Sequence, residues 1–335
     1  MTSFAHLLEL EDVHTHLQLK QGVVQAVNGV SFSVDAGETL GIVGESGSGK
    51  SMTALSIMGL LPRRGAVVKG RIRFKGRELT ALSEDEMEQI RGTDVAMIFQ
   101  DPMTSLNPVY RTGWQVGEPL RIHRHMKMRA SIAAATGLFK KVGIPEAEKR
   151  VREYPHMFSG GMRQRAMIGM GLSTSPSLLI ADEPTTALDV TIQAQILDLL
   201  RTLNQEAGTA TILITHNLGV VAGMCDRVIV MYAGRIVEQG RTEDVFAHPE
   251  HPYTWSLLRS IPRIDADEHL PLRAIEGSPP DMVRLPPGCK FQPRCPFAIS
   301  RCATEEPELI TVREQLARCW VTQDGTSLDQ AAAGG

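Results

Sequence analysis

The chain has 335 residues, enough for one large domain with an appendage or for two small ones. Hydrophobic residues make up 42% and charged residues 22%, so a globular protein with a core of normal size is expected. A formal net charge of -3 excludes a global basic field that would draw the chain to nucleic acid, and an aromatic content of 5% weakens base-stacking recognition.

The N-terminal stretch MTSFAHLLELEDV has no basic segment followed by an apolar one, so no secretory signal is read there. No run approaches the roughly 18 apolar residues that a membrane span needs. The expectation is a protein of a reducing compartment that reaches a membrane only by docking on the segments of other chains. Residues 7–35 alternate polar and apolar and read as antiparallel strands. Thr39–Val43 reads as a short strand, Gly44–Lys50 as a Gly/Ser loop and Ser51–Leu61 as the helix after it. Val95–Phe99, Ser177–Ala181, Thr211–Thr215 and Arg227–Met231 are short apolar runs that fit buried parallel strands. Between Gln100 and Ser173 the chain turns helix-like, rich in Ala, Met, Arg and Lys, and reads as an inserted helical subdomain. From about residue 250, Pro252, Pro262, Pro271, Pro279, Pro280, Pro286 and Pro287 punctuate a stretch that reads as a linker and a small appended unit. The final AAAGG is expected to be disordered. Alternating strands and helices predict an α/β fold with a mostly parallel sheet.

Gly44-Glu45-Ser46-Gly47-Ser48-Gly49-Lys50-Ser51 matches G-x-x-x-x-G-K-[ST] between a strand and a helix. Glycines let backbone N–H groups curl around phosphates, and the helix N-terminus adds its positive end. Lys50 is placed to reach the β- and γ-phosphates and Ser51 to ligate Mg²⁺, with Met52 next in the cradle. Leu178–Ala181 is an apolar strand that ends in Asp182 and Glu183. The C-terminal end of a parallel strand is where such sheets present their sites. Asp182 suits the Mg²⁺ shell, and Glu183 suits orientation and deprotonation of an attacking water. His216 follows the run Thr211–Thr215, and a histidine there suits a hydrogen bond to the γ-phosphate.

With these motifs in order, the sequence resembles the ABC transporter ATPases over about residues 7–250. Phe158-Ser159-Gly160-Gly161-Met162 resembles the family signature, with Met162 in place of the usual glutamine. Gln100 resembles the Q-loop glutamine, Ala187-Leu188-Asp189 the D-loop, and His216 the switch histidine. The resemblance implies a P-loop nucleotide-binding domain: a RecA-like parallel core, an antiparallel β subdomain and an inserted helical subdomain. It implies catalytic roles for Glu183, His216 and Gln100, nucleotide contacts from Gly44–Met52, Ser159, Gly160, Gly161 and Asp189, and Mg²⁺ held by Ser51, Gln100 and Asp182. ATP is then sandwiched between two such domains, and its hydrolysis drives membrane subunits between inward and outward states. One departure stands out: the aromatic that many members stack on adenine falls near Gln21.

Gln100–Pro108, Ala181–Asp189, the segment His248–Thr254 and a Cys-bearing tail are similar to the oligopeptide, dipeptide and nickel importer branch. That likeness implies domain boundaries of 1–250 for the ATPase, with its helical subdomain at about 101–173, and 251–335 for the extension. It implies peptide cargo, with nickel or another small solute as the alternative. Implied partners are two transmembrane permease subunits, a second ATP-binding subunit and an extracytoplasmic substrate-binding protein, with no nucleic acid. The implied location is peripheral, on the cytoplasmic face of the inner membrane. A soluble ABC ATPase acting on nucleic acid would typically carry two cassettes or a long coiled-coil insertion, and this sequence shows neither, nor a basic stripe. A non-hydrolysing regulatory cassette is argued against by Glu183 and His216.

Cys289, Cys295, Cys302 and Cys319 are separated by five, six and sixteen residues. No C-x-x-C pair is present, and the spacing fits neither a zinc ribbon nor a common ferredoxin. Lys290, Arg294, Arg301 and Arg318 lie close by in sequence and could offset thiolate charge. Some importers of the resembled branch carry a four-iron four-sulfur (4Fe-4S) cluster in such a tail. That cluster, a zinc ion, and plain buried thiols all stand as readings. Cys225 reads as a core residue, His14 and His16 as strand-surface residues, and His123 and His125 as part of a solvated helix face.

Overall fold

The computed structural model describes residues 5–62, 64–101, 105–186, 188–260 and 275–333. Pro102, Met103 and Thr104 of the branch motif, Ala187 of the D-loop motif, Pro262 and Pro271 of the linker, and Gly334 and Gly335 lie outside the described residues.

Twelve strands are formed among the described residues: β1 (Leu8–Leu19), β2 (Gly22–Val34), β3 (Thr39–Val43), β4 (Ala66–Phe74), β5 (Arg77–Glu78), β6 (Val95–Ile98), β7 (Leu178–Asp182), β8 (Ala210–Thr215), β9 (Arg227–Tyr232), β10 (Arg235–Arg241), β11 (Ile310–Val312) and β12 (Gln315–Ala317). The chain packs as two compact units. The first takes Ser33–Thr39 and Arg73–Thr215 with the N-terminal residues up to Leu8. The second takes Glu9–Phe32, Leu40–Ile72 and the chain from His216 onward.

In the first unit β6, β7 and β8 lie side by side and parallel, with Val95 opposite Leu178 and Asp182 opposite Ile214. Every residue of β7 and β8 is buried, which is why the two read as unbroken apolar runs rather than as alternating ones. The stretch expected to be helical holds Thr112–Val116, Glu118–Arg124, Met128–Lys141, Ala147–Arg150 and Gly160–Gly171. Buried Phe139 meets Phe158 edge-on at 6.0 Å in that stretch. The helix Val190–Ala207 turns Ile196, Leu200 and Leu203 inward.

In the second unit β2, β1 and β4 neighbour one another in that order. Beside them runs a mixed sheet in the order β11-β12-β10-β9-β3. β3 is parallel to β9, with Leu40 opposite Arg227 and Val43 opposite Val230. β9, β10, β12 and β11 continue antiparallel. The Cys-bearing tail thus adds two strands to the sheet that contains β3. Phe291 of the tail packs into an aromatic cluster with Tyr232 and Tyr253, with ring centroids 5.2 and 5.4 Å apart, and all three are buried. The carboxylate of fully buried Glu238 accepts the backbone N–H groups of Glu250 and His251 and the side-chain amide of Gln315. These contacts tie the tail down more tightly than its proline content suggests.

The helix after the Gly/Ser loop is Lys50–Met58, shorter than expected, because Gly59 in left-handed conformation ends it. The C-terminal disorder expected for AAAGG does not extend to its alanines. They end a helix, Leu328–Ala333, whose Leu328 is buried and whose Asp329 accepts Trp255 Nε1–H at 3.1 Å. Among the described residues no helix is long and apolar enough to cross a membrane.

Candidate nucleotide site

The expected site residues divide between the units: Gly44–Met52, His216 and the four tail cysteines lie in the second, and Gln100, Ser159–Gly161, Asp182, Glu183 and Asp189 in the first. β3 feeds the loop Gly44–Gly49, which opens directly into the helix Lys50–Met58. Gly44 and Gly49 have φ of 150 and 106, and a Cβ there would lie 2.2 Å from Met231 O and 2.4 Å from Ala26 O respectively. No side chain fits at either position. Lys50 is 5% exposed, and its Nζ donates to the carbonyls of Gly44 at 2.8 Å and Glu45 at 2.9 Å. The loop is therefore folded around its own lysine.

Among the described residues, Ser48 Oγ is buried with no hydrogen-bond partner. The N–H groups of Lys50, Ser51 and Met52 open the helix Lys50–Met58. A buried hydroxyl without a partner, a helix start and a lysine converge on one loop, and that set fits a polyphosphate.

In the first unit Asp182 is the last residue of β7 and 4% exposed. Glu183 follows with φ 45, a left-handed backbone that a non-glycine residue adopts at a cost of about 1–3 kcal/mol. Its N–H donates to Ile214 O of β8 at 2.9 Å, which holds the turn. Its carboxylate oxygen Oε2 accepts Gln100 Nε2–H at 3.2 Å and Thr186 Oγ1–H at 2.9 Å. The structure therefore brings Gln100 and Glu183 together. Ser159 caps the helix Gly160–Gly171, its Oγ accepting Met162 N–H at 3.3 Å, and both Ser159 and Gly160 are exposed. This is the exposed helix start the signature requires. Asp189 is the N-cap of Val190–Ala207 and accepts Ile192 N–H at 2.9 Å, so its carboxylate already has a structural task.

His216 is exposed, the first residue after β8. Asn217 beside it caps the helix Leu218–Met224. Gln21 occupies an exposed turn between β1 and β2 and offers no ring for adenine. Cys225 is buried as expected, and burial pushes its thiol up to about 12.

Two residues at the phosphate loop escaped the sequence reading. Tyr253 OH accepts Glu45 N–H at 2.7 Å, and the Arg294 guanidinium grips the Glu45 carboxylate at 2.6 and 3.0 Å. Arg294 was expected to offset thiolate charge, and the structure corrects this. Arg294, Lys290 and Arg301 pair with Glu45, Glu306 and Glu305, and Arg318 donates to the carbonyls of Ile236 and Pro307.

The four tail cysteines are free thiols that line one small cavity with Phe291, Phe297, Trp320 and Val321. Burial first, and then neighbouring thiols, pushes Cys289 up to about 11 and Cys295 up to about 12. Burial raises Cys319 as well. Among the described residues no group of three or more His, Cys, Asp or Glu side chains is placed to hold a metal ion, which supports neither the zinc nor the 4Fe-4S reading.

The ABC transporter family is matched over residues 27–186, and the C-terminal region of oligopeptide/dipeptide transporters over residues 237–302. The chain is 50% identical to the oligopeptide transport ATP-binding protein OppD of Haemophilus influenzae, over 96% of this chain and 99% of that one. It is 53% identical to OppD of Escherichia coli over 90% and 89% of the two chains, and 50% identical to the oligopeptide transport ATP-binding protein AppD of Bacillus subtilis over 95% and 97%. Among solved structures, a dimeric post-hydrolysis state of the ATP-binding cassette MJ0796 bound to ADP and Pi is similar, with a TM-score of 0.63 at 26% identity, over 70% of this chain and 98% of that one.

Proposed function

The chain belongs to the ABC transporter ATP-binding proteins of the oligopeptide transport branch, and from that premise we propose that it hydrolyses ATP to drive uptake of di- or oligopeptides through a membrane importer. The observation that carries the peptide reading is the reach of the likeness. Half-identity to peptide-transport relatives runs through the C-terminal region, beyond the cassette that ABC proteins in general share.

Each residue has a defined task in this reading. Lys50 leaves its loop carbonyls for the β- and γ-phosphates, and the N–H groups of Gly47–Met52 with Ser48 Oγ take the remaining phosphate oxygens. Ser51, Asp182 and Gln100 are the residues that would hold Mg²⁺, which would neutralise negative charge developing on the phosphates. Glu183 orients the attacking water and takes its proton, steadied by Gln100 and Thr186. His216 donates to the γ-phosphate. Ser159, Gly160 and Gly161 contact the nucleotide held by a second ATP-binding subunit, and Asp189 lies beside them.

The working assembly comprises that second subunit, two permease subunits and an extracytoplasmic binding protein, with this chain peripheral on the cytoplasmic face of the membrane. The ATPase domain is proposed to span 1–250, with its helical subdomain at about 101–173, and the extension 251–335. The tail thiols Cys289, Cys295, Cys302 and Cys319 are proposed to hold a 4Fe-4S cluster, supported by the apolar cavity they share. Uptake of a labelled oligopeptide into proteoliposomes carrying the complex tests the transport reading. Uptake that needs ATP supports it, and ATP-driven uptake of nickel with none of peptide refutes the cargo.

A further inference from the structure

Glu45 is the second residue of the phosphate loop and carries a carboxylate on a loop that binds a polyanion. Left unpaired, that charge would repel ATP, and beside a low-dielectric loop the repulsion is weakly screened. The structure pairs it with a residue 249 positions away. Arg294 Nη1 donates to Glu45 Oε2 at 2.6 Å and Nη2 to Oε1 at 3.0 Å, a two-pronged guanidinium–carboxylate pair. The Arg294 side chain is 4% exposed and that of Glu45 28%.

The guanidinium is itself fixed. Nε donates to Glu276 O at 3.0 Å, Nη2 to Ile275 O at 3.4 Å and Nη1 to Tyr232 OH at 3.3 Å. Arg294 ends the short turn Gln292–Arg294, between buried Phe291 and Cys295. The loop residue is held at its N–H by Tyr253 OH and at its carboxylate by Arg294. Both partners come from the chain beyond residue 250.

We propose that Arg294 is a positioning residue of the ATP site, which cancels the Glu45 charge and fixes the phosphate loop, so that the Cys-bearing tail is a working part of nucleotide binding. The inference rests on the ATPase reading only in that this loop binds ATP.

The test is the Kd for ATP of the assembled transporter, measured by calorimetry without turnover, so that a failure of peptide transport would leave it readable. Arg294→Gln is expected to raise the Kd about tenfold, the size of one lost charge-assisted pair. The double variant Arg294→Gln/Glu45→Gln removes both charges and is expected to bind ATP more tightly than Arg294→Gln alone, because the uncompensated carboxylate is gone. A native Kd in Arg294→Gln overturns the proposal. A double variant as weak as the single one overturns the charge cancellation. Arg294→Lys keeps the charge but loses the two-pronged geometry, and is expected to raise the Kd by less than Arg294→Gln does. If Arg294→Gln does not assemble, a native Kd in Arg294→Lys overturns the positioning role.

Discussion

Gln100 donates its side-chain amide to the carboxylate of Glu183 at 3.2 Å. One follows β6 and the other follows β7, parallel neighbours whose register sets Ile98 against Ala181. The pair therefore emerges from one end of the sheet because the strands are parallel, and Thr186 Oγ1 adds a second donor to the same oxygen. A carboxylate held in this way is oriented before any substrate arrives.

Replacing Glu183 by Gln keeps the shape and removes the base. ATP binding should persist, and hydrolysis should fall by about a hundredfold or more, the usual share of a general base. Single-turnover hydrolysis with labelled ATP reads both. Turnover at the parental rate would remove Glu183 from the role of base.

Gly49→Ala places a Cβ 2.4 Å from Ala26 O in a backbone of φ 106. The strain is about 1–3 kcal/mol, and relief requires moving the loop. The expected result is an ATP Kd raised by at least about tenfold, read by calorimetry, with the far-ultraviolet circular dichroism unchanged.

Cys225 should be inert to alkylation at pH 8. With its thiol pushed up to about 12 by burial and by Asp226, its thiolate population at pH 8 is about a thousandfold below that of a free thiol. The sign is fixed by the nucleophile being the thiolate, so labelling should accelerate as pH rises. Mass spectrometry of iodoacetamide-treated native protein checks it, and rapid modification at pH 8 would contradict the burial.

Anaerobically purified protein is expected to contain iron and acid-labile sulfide and to show a visible charge-transfer band. Cys295→Ser should lower the iron content and change the band. Zinc at one ion per chain, or no metal at all, would refute the cluster and leave four free thiols.

The phosphate loop was legible because its chemistry is written in backbone-permissive residues at fixed spacing, and Gly44 and Gly49 occupy positions that admit no side chain. β7 and β8 were legible because burial on both faces demands unbroken apolar runs. The left-handed turn at Glu183 was not legible, since nothing local favours it. It depends on the N–H of Glu183 finding Ile214 O across the sheet. β11 and β12 escaped because three residues are too few to show a period of two. The Arg294–Glu45 pair escaped because its partners are 249 residues apart and each has a plausible local reading. Lys290 and Arg301, read as counter-charges for thiolates, proved to face carboxylates instead.

The most direct test of the peptide-import ATPase is the ATPase rate of the complex with its permease and binding-protein partners, with and without oligopeptides. The account predicts hydrolysis that peptide stimulates and that Glu183→Gln abolishes. Hydrolysis indifferent to every peptide but stimulated by nickel or another solute would contradict the cargo, and a complex that binds ATP without hydrolysing it would contradict the motor.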